Sequence, residues 1–441
     1  MKKTRWLLTI LLALLSLVSL AACADSSSNT KGKHQHVWGE WEVVNNPTLR
    51  STGEMVRTCT ENSNHADTFV LPKLNDTDYT VSYDPAPTCE NDGTGIFVYE
   101  KDNQTFSFTT TVPILAHDYS KSVTCSLCNV RHPECVEIHS IEDMQIVKTK
   151  PDGVYILMND LSVENLYWNG VGNEHQPFSG IFDGNGHEIS NVTLNAGKSV
   201  GLFAYNKGTV YNLTVNNVSY TGKFYDWEGN CGAAIVGYNE GTVANCKVTG
   251  TLSINWKQTI SDEGGSLAGD KTYRNSAYTG ALAGYNSGKI ENCEVSATIS
   301  YGLNPTLNVN MNAGIMFTYS TVYLHTTGSF GALVGYNKGE ISFCNASGFY
   351  SINSLSSASS TSDFHIGDNH HLHLYTTVNA GAAVGINAGR IKNCNVKECI
   401  VLMDQNMSSF CYPHLAQNTT PNKLVGVVEP GGSNESSLAN P

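Results

Sequence analysis

Histidine and carboxylate side chains crowd one short stretch, DFHIGDNHHLHLY, which holds His365, Asp368, His370, His371 and His373. On a strand, His371 and His373 would share one face two residues apart, and His365 or Asp368 from the preceding loop would complete a zinc-type site. A solvated His-rich loop explains the same letters. Asp183 and His187 in FDGNGH suggest an acid-base pair, but Gly184, Asn185 and Gly186 suit a tight turn between Phe182 and Ile189, with Asp183 as its cap. Cutting a polysaccharide by hydrolysis needs a carboxylate pair, and cutting it by elimination needs a base with a neutralising cation. No acidic pair recurs at facing positions. Asp262, Glu263 and Asp270 share one insert, ISDEGGSLAGD, which reads as a polar loop. H-E-x-x-H and phosphate-loop patterns are absent from the sequence. A lyase or glycosidase is therefore the alternative reading, and no catalytic residue is assigned.

The elements that must position these residues are copies of one stretch, GALAGYNSGKIENCEV from Gly280. Related copies read SVGLFAYNKGTVYNLTV from Ser199, GAAIVGYNEGTVANCKV from Gly232, GALVGYNKGEISFCNA from Gly331 and GAAVGINAGRIKNCNV from Gly381. Their shared asparagines are Asn206, Asn239, Asn286, Asn337 and Asn387, in steps of 33, 47, 51 and 50 residues. Self-similarity at a near-constant period is the mark of a stacked array. Gly284, Asn286 and Gly288 suit a turn. Beyond it the apolar alternation of a half-buried strand loses parity at Asn292, which predicts a corner. The same break recurs at Asn212, Asn245 and Asn393, and Phe343 replaces the asparagine in the fourth copy. Stacked coils would align Leu213, Cys246, Cys293, Cys344 and Cys394 as one internal column, with the thiols acting as buried small hydrophobes. If each step of about 50 residues were two coils, those thiols would stand ~10 Å apart.

Polar strands separate the copies. Counting back six residues from each core glycine gives Asp226, Arg274, His325 and Tyr375, and counting back eight gives Phe224, Thr272, Tyr323 and His373. The apolar column between them, with Leu324 and Leu374, should face inward and leave the other two toward solvent. Tyr323, His325, His373 and Tyr375 are thus the candidate ligand-binding residues, suited to stacking on sugar rings or a protein partner. Solvent-side strand residues chosen for β-propensity would look the same.

The copies resemble the bacterial GLUG motif, and residues 141–194 resemble the lead-in such proteins have. The resemblance implies a parallel β-helix or related solenoid over residues 136–410, on a bacterial surface and in adhesive or uncharacterised roles. It transfers no catalytic residue. The expected fold class is all-β: a solenoid of GLUG-like repeats with a small Cys-containing, β-rich module before it.

Residues 1–23 read as an export signal, with Lys2, Lys3 and Arg5 ahead of an apolar core from Trp6 to Leu20. That core is shorter than the ~20 residues of a spanning helix. L-A-A-C resembles the bacterial lipobox, which implies cleavage before Cys23, a lipid on its sulfur and a membrane-anchored protein facing outward. Residues 24–33 form a tether. Removing three basic residues takes the net charge from −13 to −16, which disfavours nucleic acid and anionic lipid as partners.

Residues 34–133 form a separate module. HVWGEWEVV from His36, DYTVSYD from Asp78 and HDYSKSVTCSLC from His117 resemble degenerate tandem repeats whose unit has an H-x-W opening, a T-C-x-x-x-G turn and a C-x-x-C pair. Cys59, Cys89, Cys125 and Cys128 would form two disulfides or four zinc thiolates, or stand as structural thiols. No cofactor is implied beyond zinc. Residues 411–441 are expected to be a cap and a disordered tail. The leading function is adhesion to a glycan, mucin or host protein, and an envelope scaffold without a ligand is the third reading.

Overall fold

The computed structural model describes residues 35–164, 166–195, 197–224, 229–263, 271–311, 321–362, 371–407, 412–419, 425–429 and 433–438. The chain divides into two compact units, residues 1–115 and 116–441. Composition had grouped 34–133 together, whereas residues 116–133 belong to the second unit.

The first unit holds two antiparallel three-stranded sheets, centred on Gly53–Thr58 and Gly93–Lys101. The same turn introduces both central strands. Thr48 Oγ1 accepts the Ser51 N–H at 2.9 Å, and Thr88 Oγ1 accepts the Asn91 N–H at 2.9 Å. The tandem repeat seen in the sequence is therefore a repeat of structure. Trp41, Met55, Leu71, Leu74, Tyr79, Phe97 and Phe108 make one core. The Arg57 guanidinium lies 4.4 Å from the Trp41 ring, which donates its indole N–H to Asp102 at 2.9 Å.

The second unit is a solenoid of parallel strands. The first rungs run from just before the lead-in into the first copy, with Cys135–Ile138, Val154–Leu157, Ile181–Asp183 and Thr209–Tyr211 pairing in succession. Each later repeat makes one complete coil, not two. A coil runs from a polar strand such as Lys271–Thr279, through Ala283–Asn286 and Lys289–Glu291, to a long strand such as Glu294–Met311. The equivalent strands of successive coils stack in parallel sheets. A strand facing neighbours above and below satisfies its backbone groups along its length, which is why so polar a chain can form so much sheet.

The corners stand where parity breaks. Asn212, Asn245, Asn292, Phe343 and Asn393 all have φ of 53–55°. Just past each corner, Leu213, Cys246, Cys293, Cys344 and Cys394 are buried in one continuous apolar core. Each thiol donates to the carbonyl two residues back, as Cys293 does to Glu291 at 3.3 Å and Cys344 to Ser342 at 3.3 Å. Burial pushes the Cys293 thiol well above its ordinary pKa, so it stays protonated.

The C-terminal segment caps the last coil, and only Ser433–Leu438 departs from expectation, as a strand where a disordered tail was expected. Tyr412–Thr419, Val425–Val428 and Ser433–Leu438 add parallel strands to the last coil. A low apolar content suggested disorder, but main-chain pairing to an existing edge does not require apolar side chains.

Candidate functional site on the outer face of the solenoid

The polar strands fall in the register that residue counting gives. Thr272, Tyr323, His373 and Tyr412 form one column, Tyr273, Leu324, Leu374 and Pro413 the next, and Arg274, His325, Tyr375 and His414 the third. Leu324 is 1% exposed, while Tyr323, His325 and Tyr375 are half-buried. Inward-facing Leu324 between two outward neighbours is the alternation of a one-sided strand. Tyr412 and His414 extend the columns, and sequence counting missed them because no core glycine follows them to count from.

One coil earlier the register slips. Gly232 pairs with Thr279 and not with Gly280. Phe224, expected on the solvent side, is instead buried with its ring 5.7 Å from that of Trp256. A large apolar ring at a marginal position gains more from burial than from keeping the count. Asp226 lies outside the described residues.

The rings on this face stack on each other. His325 and Tyr375 are 4.5 Å apart with planes 5° apart, and Tyr323 and Tyr375 are 6.4 Å apart at 24°. With these faces turned toward one another, the rings offer polar edges, an imidazole nitrogen and phenol hydroxyls, and His325 and Tyr375 share one column with Arg274. Burial pushes the His325 pKa down, and the charge of Arg274 pushes it further the same way. The imidazole is therefore neutral at pH 7 and presents one donor and one acceptor.

A second ring column was not foreseen. Tyr205, Tyr238, Tyr285 and Tyr336 stack at 5.3, 4.6 and 5.2 Å, and Tyr336 donates to the Glu429 carboxylate at 2.6 Å. The signal was the tyrosine before the shared asparagine in four of the five copies. Beside it runs a buried ladder in which each asparagine donates to the next. Asn206 bonds Asn239 at 2.8 Å, Asn239 bonds Asn286 at 2.8 Å, Asn286 bonds Asn337 at 2.8 Å and Asn337 bonds Asn387 at 2.7 Å. These columns hold the coils in register.

The remaining candidates separate. His371 and His373 are two apart on the strand His371–Gly381, as the zinc reading required, while His365 and Asp368 lie outside the described residues. Asp183 and His187 do not pair. Asp183 accepts the Asn185 N–H at 2.8 Å, capping the turn as expected, and His187 bonds Asp160 at 3.0 Å. The side chains of Asp262 and Glu263, and the whole of Asp270, fall outside the described residues, as does Cys23. Cys59 and Cys89 are buried in the first unit, where the Cys59 N–H bonds the His65 carbonyl. Cys125 and Cys128 stand together in the second unit, where His117 Nδ1 lies 3.3 Å from Cys128 Sγ. Burial pushes the Cys125 thiol up, but the Leu127 N–H, the His117 ring and neighbouring backbone groups outweigh it and leave the thiol below its ordinary range. Among the described residues no helix is long and apolar enough to cross a membrane.

Comparison with known proteins agrees with the repeat. The GLUG motif family model matches residues 275–300. Halomucin of Haloquadratum walsbyi (strain DSM 16790 / HBSQ001) is 40% identical over 82 residues, which is 18% of this chain and 1% of halomucin. The chain thus spans only a small fraction of that relative. Among solved structures, a crystal structure provisionally named an immunoglobulin A1 protease, from Bacteroides ovatus, is 16% identical, covering 67% of this chain and 84% of its own at a TM-score of 0.37. Another, named IgA1 Protease, is 11% identical, covering 87% of this chain and 30% of its own at a TM-score of 0.30. The family match lies inside one coil whose pattern recurs along the array, so the chain carries a GLUG motif on a parallel β-solenoid fold.

Proposed function

We propose that this protein is an exported lipoprotein, anchored through Cys23, whose solenoid binds an extended ligand along the outer face bearing Tyr323, His325, His373 and Tyr375. A surface glycan or mucin-type chain is the favoured ligand class. The observation that carries the reading is the column through Arg274, His325 and Tyr375, which repeats polar edges at one position per coil. A ligand with its own linear repeat can meet such a face at several rungs, and each added contact multiplies its residence. The acidic surface favours neutral or basic ligands over nucleic acid.

The test is binding of residues 24–441 to a glycan and mucin array, with His325→Ala and Tyr375→Ala in parallel and circular dichroism to confirm folding. Binding should weaken roughly tenfold in each variant, as for a contact worth about 1.4 kcal/mol. A folded protein that binds nothing, or variants that bind as well as the parent, would remove this reading.

A further inference from the structure

Residues 117–128 fold into a tight knuckle on the flank of the solenoid. The Ser126 N–H bonds the Asp118 carbonyl at 3.0 Å and Ser126 Oγ bonds the Asp118 carboxylate at 3.1 Å, which ties the His117 segment to the C-S-L-C turn. The turn closes on itself, with the Leu127 N–H directed at Cys125 Sγ at 3.4 Å and the Asn129 N–H bonded to the Cys125 carbonyl at 2.9 Å. Asn129 takes the left-handed conformation at φ 60°. The knuckle is seated on the first coils, where the Val123 N–H bonds the Tyr211 hydroxyl at 3.0 Å and Val123 is buried. These bonds bring the ligating atoms of His117, Cys125 and Cys128 together.

We propose that His117, Cys125 and Cys128 form a zinc site. Their ligand atoms lie within 4.8 Å of one another, and Cys128 Sγ is 3.3 Å from His117 Nδ1. A tetrahedral zinc with Zn–S of ~2.3 Å and Zn–N of ~2.0 Å holds its donors roughly 3.5–3.8 Å apart, so small side-chain movements suffice. His117 binds through Nδ1, the nitrogen that faces the thiol. On binding, each thiol gives its proton to solvent and the sulfur lone pair goes to the metal. Two thiolates and an imidazole select zinc over calcium or magnesium, which take oxygen ligands. The N–H of Leu127 then supports the Cys125 sulfur from the second shell. The site is separate from the His371 and His373 strand and does not depend on the proposed ligand face.

Residues 24–441, purified under reducing conditions, would be loaded with zinc, passed over a desalting column with a weak chelator and assayed for metal, and a second sample would be loaded with cobalt. The expected result is one zinc retained per chain, with thiolate-to-cobalt charge transfer and the intense visible bands of tetrahedral cobalt. Cys128→Ser and His117→Ala should lose both signals, His117→Cys should regain them, and the double variant His371→Ala with His373→Ala should keep them. No retained zinc, retention unchanged in Cys128→Ser, or loss only in the His371 and His373 variant would overturn the site, as would a cobalt spectrum without the thiolate band.

Discussion

A left-handed backbone costs an ordinary L-residue ~1–2 kcal/mol, and asparagine escapes much of that by bonding locally. Four of the five aligned corners use asparagine, and Phe343 occupies the fifth with φ 55° and its side chain 53% exposed. Its ring therefore gains little burial to offset the strain. Phe343→Asn should stabilise the protein by about 1 kcal/mol, seen as a higher urea midpoint with an unchanged slope. A lower midpoint would mean that the ring makes a contribution the corner geometry does not reveal. The corner was legible because one broken alternation recurs at four asparagines. The His117 partner of Cys128 was not: cysteines alone were grouped in the sequence, and a histidine eleven residues before Cys128 joins them only through the fold of the knuckle.

At the scale of the strand, the buried asparagine ladder sets coil against coil. Asn286 both accepts from Asn239 and donates to Asn337, whereas Asn206 donates only to Asn239 among the ladder members. Asn286→Ala would leave a buried donor and a buried acceptor without their ladder partners, each costing ~1–3 kcal/mol. Asn239 Nδ2 keeps longer approaches to the Gly241 and Lys289 carbonyls at 3.3 and 3.5 Å, so the total should be about 2–4 kcal/mol. Asn206→Ala should cost roughly half as much. Chemical denaturation of both variants checks this, and equal losses would show that the ladder is not the coupling element. The outer ring columns are also a property of strands in register. Counting found His325 and Tyr375, but it could not show that these rings spend their faces on each other, because ring orientation follows from neighbours ~4.8 Å above and below.

For the molecule as a whole, location governs what the solenoid can meet. On the proposal of a lipid at Cys23, several acyl chains would hold the protein at the membrane, where one chain alone would be marginal. Cys23→Ala should therefore move the protein from the membrane fraction to the soluble exported fraction, followed by immunoblotting, with no change in the unfolding of the secreted chain. Retention of Cys23→Ala at the membrane would show that something other than this cysteine holds it.

The sequence by itself determined the repeat, the turn and corner of each coil, the inward cysteine column and the inward Leu324, since each follows from local spacing and two-fold strand alternation. It did not determine the number of coils per repeat, the slip that buries Phe224, the strands added beyond Tyr412 or the meeting of His117 with the cysteine pair. Those depend on which backbone edge pairs with which, and on where a side chain gains more from packing than from keeping register. Such pairings join residues tens of positions apart, and only the assembled coils bring them together.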